Sequence, residues 1–179
     1  MYKVNSFMII VLRLNHRISR DKRLSTHVAL TARAFLADRL YYSGQKDSNF
    51  ELSINKVTEK FGSSFSIDYL ENPIKFIQEN KSKFTIIHLT CYGLNVEDKI
   101  NEIKKNKNLI IIVGGEKVDP IFYNLSKYNL SVTQQPISEV SALAIFLHLL
   151  NKGKELKHEF ENARLKIIPM ENGKKVLKN

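Results

Sequence analysis

The segment Leu109-Ile110-Ile111-Ile112-Val113 runs without a polar interruption into Gly114-Gly115-Glu116-Lys117-Val118. An apolar run of that length, rich in β-branched side chains, has no face to give to water, so it predicts a strand covered on both sides in a parallel sheet. Parallel strands need crossover connections, which commits the chain to alternating strands and helices. In such sheets ligands bind just past the carboxyl ends of the strands. Two adjacent glycines there supply positive φ and bare backbone for close approach, and Glu116 and Lys117 set opposite charges beside them. A lone Gly-Gly is also a plain turn between strand and helix.

The remaining pattern agrees. Strands are predicted at 8–14, 40–43, 65–70, 84–90 and 130–132. Helices are predicted at 25–37 with Ser25 or Thr26 as cap, at 48–61 ended by Gly62, and at 73–81 with Pro73 in its first turn. Three more follow at 95–105, at 120–127 opened by Pro120, and at 138–150. Repeated β-α units imply a three-layer α/β domain on a mainly parallel sheet. Beyond Asn151 the segment Arg164-Leu165-Lys166-Ile167-Ile168-Pro169 and the basic stretch after Asn172-Gly173 predict a C-terminal β-hairpin. The 179 residues divide into an extension at 1–7, the α/β domain at 8–153, and a basic linker with the hairpin at 154–179.

Composition excludes several classes. Hydrophobic content of 43% and charged content of 26% are those of a globular chain. No apolar run approaches the roughly 18 to 20 residues of a membrane span, and the apolar start leads into Arg13, His16, Arg17 and Arg20 with no cleavage site. A cytoplasmic protein with no membrane partner is expected. The single cysteine, Cys91, excludes an intramolecular disulfide and a multi-cysteine zinc site, and the five histidines show no metal-ligand spacing, so no metal is expected.

The net charge of +10 is segregated. Residues 13–23 carry Arg13, Arg17, Arg20, Lys22 and Arg23 against Asp21, and residues 151–179 carry eight basic side chains against four acidic. Such clustering favours a nucleic-acid surface, and arginine's planar fork suits phosphate.

Two further segments join the Gly-Gly junction. Thr133-Gln134-Gln135-Pro136-Ile137 precedes Ser138 and Glu139, offering amides and hydroxyls to the edge of a heteroaromatic ring at the amino end of the last helix. His88-Leu89-Thr90-Cys91-Tyr92-Gly93 ends the predicted neighbouring strand, and three such loops could converge into one pocket. There is no G-x-G-x-x-G after the first strand and no G-x-x-x-x-G-K-[ST] anywhere.

Taken in order, Leu12-Arg13-Leu14-x-His16-Arg17-x-x-Arg20-Asp21-x-Arg23, the run from Thr26-His27 to Ala34-Phe35, His88-Leu89-Thr90-x-Tyr92-Gly93, the segment from Ile111 to Val118, and Gln135-Pro136-x-Ser138-Glu139-Val140 resemble the archaeal tRNA (cytidine-56-2'-O)-methyltransferases of the SPOUT superfamily. The resemblance spans roughly residues 8 to 178. It implies a C-terminal trefoil knot, a homodimer, and S-adenosyl-L-methionine as cofactor. It also implies a tRNA partner, methylated on a cytidine ribose in the TΨC loop. By family pattern the cofactor contacts fall on Leu89, on Gly114, Gly115, Glu116, Lys117 and Val118, and on Val132, Thr133, Gln134, Gln135, Pro136, Ile137, Ser138 and Glu139. Arg33 is the expected catalytic residue, orienting the adjacent phosphate and stabilising developing alkoxide, with or without taking the proton. Arg13, Arg17, Arg20 and Arg23 are expected on tRNA phosphates, with His16 and His27 near the reacting nucleotide. The chain departs from the family pattern at Leu36, where glycine is frequent, at Gln134, where asparagine is common, and at Ile137, where histidine is frequent. A SPOUT enzyme acting on another RNA position and a non-catalytic RNA-binding relative are the alternatives.

Overall fold

Strand β1 (Met8–His16) carries Ile9 and Val11 on one face and Ile10, Leu12 and Leu14 on the other, none more than 6% exposed. A strand so covered must be central. β1 pairs in parallel with β2 (Arg39–Gly44) on one side and with β5 (Asn108–Val113) on the other. β3 (Ser66–Tyr69), β4 (Thr85–Asn95) and β6 (Tyr128–Ser131) complete a six-stranded sheet of order β3-β2-β1-β5-β4-β6 in which every pairing is parallel. This is the computed structural model of the chain, and it describes residues 8–179 except Glu116 and the side chain of Lys22. The expected extension at 1–7 lies outside the described residues.

Helices α1 (Ile18–Ala34), α2 (Ser48–Phe61), α4 (Val96–Ile103) and α6 (Glu139–Asn151) bury Val28, Phe50, Ile54, Ile100, Leu143 and Phe146 in one core with Val11, Ile87 and Ile111 of the sheet. Helices α3 (Pro73–Asn80) and α5 (Pro120–Leu125) cover the opposite face through Ile77 and Phe122, against Ile10, Leu12, Ile110 and Ile112. The result is the expected three-layer α/β arrangement. The order of strands reverses at the β1/β5 boundary, so Gly114-Gly115 follows a strand at the sheet's topological switch point.

Three local expectations change and one holds. α1 begins at Ile18 rather than near Ser25, because nothing between Arg17 and Leu24 breaks a helix and the Arg17 guanidinium bonds Asp21 one turn on. The basic cluster is therefore helical. Ser25, fully buried, bonds His16 Nδ1 at 2.8 Å instead of capping. β4 does not end at Thr90: it bulges and continues to Asn95, with Leu89 and Leu94 both opposite Leu130. A Cβ on Gly93 would lie 2.5 Å from the Asn129 carbonyl carbon, so only glycine lets the bulge pass β6. The C-terminal hairpin of β7 (Leu165–Ile168) and β8 (Lys175–Lys178) is present, closed by the loop 169–174 in which Gly173 takes φ 90°.

Candidate functional site

The Gly-Gly loop opens where Val113 pairs with Arg13 of β1. A Cβ on Gly114 would lie 2.3 Å from Val118 Cγ2, so the missing side chain is what lets the loop fold onto itself. A Cβ on Gly115 would meet only Glu139 Oε1, at 3.9 Å. Neither glycine takes the positive φ expected from the sequence; both supply space. Asn15 Nδ2 donates to the Lys117 carbonyl at 3.4 Å, tying the loop to the end of β1. Glu116 lies outside the described residues.

The second loop follows β6. Ser138 caps α6, its Oγ accepting from Val140 N at 3.3 Å, and Gln134 Nε2 donates to Ser131 Oγ at 2.7 Å. Gln135, Pro136, Ile137 and Ser138 are exposed, and Val132 and Thr133 half-buried. Glu139, the first residue of α6, reaches back toward Gly115, so the 114–118 and 132–139 loops meet. Leu89 is buried within β4, between β5 and β6. The structure thus brings the expected cofactor residues other than Glu116 to one edge, with Leu89 on a continuing strand rather than in a strand-end loop.

Beneath the meeting point lies a side chain that the sequence reading assigned elsewhere. Arg13 is 1% exposed; its Nη1 donates to the Leu14 carbonyl at 2.7 Å and its Nη2 stands 3.4 Å from Glu139 Oε1. Burial lowers the Arg13 pKa, and the Glu139 and Asp21 carboxylates oppose that shift. Alternation along β1 puts Arg13 on the same face as Ile9 and Val11, the signal that marks it as inward-facing. Arg13 is therefore not on a surface that a phosphate reaches. His16 is likewise fully buried, its Nε2 3.4 Å from Asp47 Oδ2 and its ring against Tyr42 and Phe50, so it too is a packing and hydrogen-bonding residue.

Arg17, Arg20, Arg23 and His27 are exposed on the first three turns of α1, at the carboxyl edge of the sheet that also carries the two loops. Cations at a helix amino end oppose the helix dipole, at roughly 0.3–1 kcal/mol each. A polyanion laid across them removes that opposition.

Arg33 stands elsewhere. α1 runs back along the sheet, so Arg33 lies about 22 Å from Ile18 along the helix axis, toward the amino ends of the strands. It is 6% exposed, its Nη2 donates to the Gly62 carbonyl, and its guanidinium stacks on Phe160 at 4.7 Å. Burial lowers its pKa. Within one chain Arg33 is not beside the loops where it was expected: it fastens the segment leading to the hairpin onto the end of α2.

Comparison with known proteins now has a geometry to meet. A family model described as tRNA ribose 2'-O-methyltransferase, aTrm56, matches residues 61–177. The chain is 47% identical over 174 residues to the tRNA (cytidine(56)-2'-O)-methyltransferase of Thermococcus kodakarensis, covering 95% of this chain and 97% of that protein. It is 46% identical over 174 residues to the enzyme of the same name from Methanocaldococcus jannaschii, covering 96% and 97%. Among solved structures it is similar to the SpoU methyltransferase AviRb from Streptomyces viridochromogenes in complex with AdoMet, with a TM-score of 0.62 and 12% identity over 83% of this chain and 58% of that one. The A. aeolicus TrmH/SpoU tRNA modifying enzyme gives a TM-score of 0.59 at 19% identity, covering 83% and 76%. At these identities the structural likeness bears on the fold alone.

Proposed function

The chain belongs to the tRNA (cytidine(56)-2'-O)-methyltransferase family, and from that premise we propose that it methylates the ribose 2'-hydroxyl of cytidine 56 in the TΨC loop of tRNA, using S-adenosyl-L-methionine and acting as a knotted homodimer. The observation that carries this reading is the meeting of the Gly114-Gly115 and 132–139 loops at the switch point of a parallel sheet, with exposed arginines of α1 at the same edge.

The residues present fit that cofactor. Gly115 leaves open backbone, Gln135 and Thr133 offer polar edges, and the Glu139 carboxylate can face a positive centre. Leu89, Gly114, Gly115, Lys117, Val118 and the segment from Val132 to Glu139 would hold it. Bound there, S-adenosyl-L-methionine supplies a methyl activated by a positive sulfur. What this chain adds is alignment, which supplies much of the rate in an in-line displacement. Arg17, Arg20, Arg23 and His27 hold the RNA by phosphate contacts and by hydrogen bonds near the nucleotide. Within one chain Arg33, the expected catalytic residue, is engaged by Gly62 and Phe160, while the exposed arginines of α1 stand at the edge that carries the two loops. Exposed Ile18 and Ile137 at the amino ends of α1 and α6, with exposed Ile145 midway along α6, support a second copy packing near the site.

The test is incorporation of labelled methyl from S-adenosyl-L-methionine into an unmodified tRNA transcript, beside a transcript carrying deoxycytidine at position 56. Incorporation into the first and none into the second is expected. Equal incorporation into both moves the reading to another position, and none into either leaves an RNA-binding relative.

A further inference from the structure

The Arg13–Glu139 pair is built in an unusual way. Arg13 is among the largest fully buried side chains of the molecule, yet its Nε has no hydrogen-bond partner among the described residues, and neither has Glu139 Oε1. The two groups stand 3.4 Å apart, close enough to attract and too far for a well-made hydrogen bond. Buried charge left short of partners costs free energy, and a fold retains it where the charge has other work. The Glu139 side chain is 17% exposed, while its Oε1 is buried and faces the arginine. That inner oxygen is also the atom nearest the place where a side chain on Gly115 would stand.

We infer that Arg13 is a positioning residue of the cofactor site, holding the Glu139 carboxylate over the Gly115 backbone as the counter-charge to a cationic centre of the bound methyl donor. The inference rests on the methyl-donor reading above. Arg13 does not touch the ligand; it acts through Glu139 by fixing the rotamer of that carboxylate. The Leu14 carbonyl fixes Arg13 in turn, and Leu14 packs beside Gly114, so one strand end sets both the floor and the charge of the site. The methyl donor carries two cationic centres, its sulfonium and its α-ammonium, and the carboxylate chemistry suits either.

Three ligands separate the possibilities by calorimetric titration of the full-length protein. S-adenosyl-L-methionine has both cations, S-adenosylhomocysteine has only the ammonium, and methylthioadenosine has neither. Glu139→Gln keeps shape and removes charge. It should weaken binding of S-adenosyl-L-methionine about tenfold, the range of one charge-assisted contact, and leave methylthioadenosine unchanged. A loss confined to S-adenosyl-L-methionine assigns the sulfonium; an equal loss for S-adenosylhomocysteine assigns the ammonium. Arg13→Gln should reproduce the same selective loss and Arg13→Lys should restore part of it. The double variant Arg13→Gln/Glu139→Gln should be no weaker than Glu139→Gln alone. Equal weakening of all three ligands by Glu139→Gln, or unchanged selectivity in Arg13→Lys and in folded Arg13→Gln, overturns the proposal. Failure of the wild-type chain to bind any of the three contradicts the methyl-donor reading itself and this inference with it.

Discussion

His88 sits under α5, 1% exposed, its ring edge-on to Tyr123 and its Nδ1 3.1 Å from Asn129 Oδ1. Burial lowers its pKa from the ordinary histidine value, with the Asn129 bond acting in the opposite sense. The unfolded chain therefore takes up this proton first as pH falls. Stability from His88 is complete above about pH 6.5 and is lost progressively below it. His88→Gln is expected to cost about 1–2 kcal/mol at pH 7 and to flatten the fall in urea midpoint between pH 7 and pH 5. An unchanged slope would place the titration elsewhere. Arg33 gives a second test at this scale. Its replacement by Met leaves the Gly62 carbonyl without its donor and removes the stack on Phe160, a loss of about 2–3 kcal/mol, with methyl-donor affinity unaltered. Unchanged melting with lost turnover would instead return Arg33 to the reaction. Leu36 takes φ 67° in the left-handed region. Leu36→Gly relieves about 1–2 kcal/mol of strain, so its melting temperature should hold or rise despite the lost contacts.

At the scale of elements, His16 joins three of them. β1 ends on it, α1 reaches it through Ser25, and α2 reaches it through Asp47, whose other oxygen accepts from Asn49 N and Phe50 N at 3.0 and 3.1 Å. Gly44 closes the same junction at φ 104°, where a Cβ would lie 2.4 Å from the His16 carbonyl oxygen. Asp47→Ala removes the cap of α2 and exposes the deficit at His16, an expected cost of about 1–2 kcal/mol by denaturant titration. A cost near zero would mean that neither contact contributes. The elements differ in how far local sequence reveals them. Buried strands such as β5 announce themselves, because five apolar residues in a row have few other places to go. The early start of α1 does not: its first turns are arginine-rich and its Arg17 N-cap makes no side-chain capping bond, so the segment looks like a loop until Asp21 is seen to bind Arg17. The bulge in β4 was hidden for a different reason. Gly93 is required by the backbone of Asn129 and Leu130, which meets it only once the sheet has assembled.

Across the whole molecule, the same distinction separates fold from site. The alternation of strands and helices, the layers and the edge that gathers the loops follow from local patterning. The partners of Arg13, His16 and Arg33 follow only from tertiary contact, and in each case a basic side chain suited to phosphate is instead held within the protein. Arg17, Arg20 and Arg23 remain at the surface. Their contribution is electrostatic: log affinity for tRNA should fall with log salt at a slope of several units, reduced by roughly one for each arginine neutralised. A salt-independent affinity would remove α1 from the RNA interface. The central claim is chemical. An unmodified tRNA transcript incubated with the protein and S-adenosyl-L-methionine, then digested with nucleases and mapped by mass, should carry one added methyl on the ribose of cytidine 56. A methyl on a base, or on any other ribose, would contradict the account.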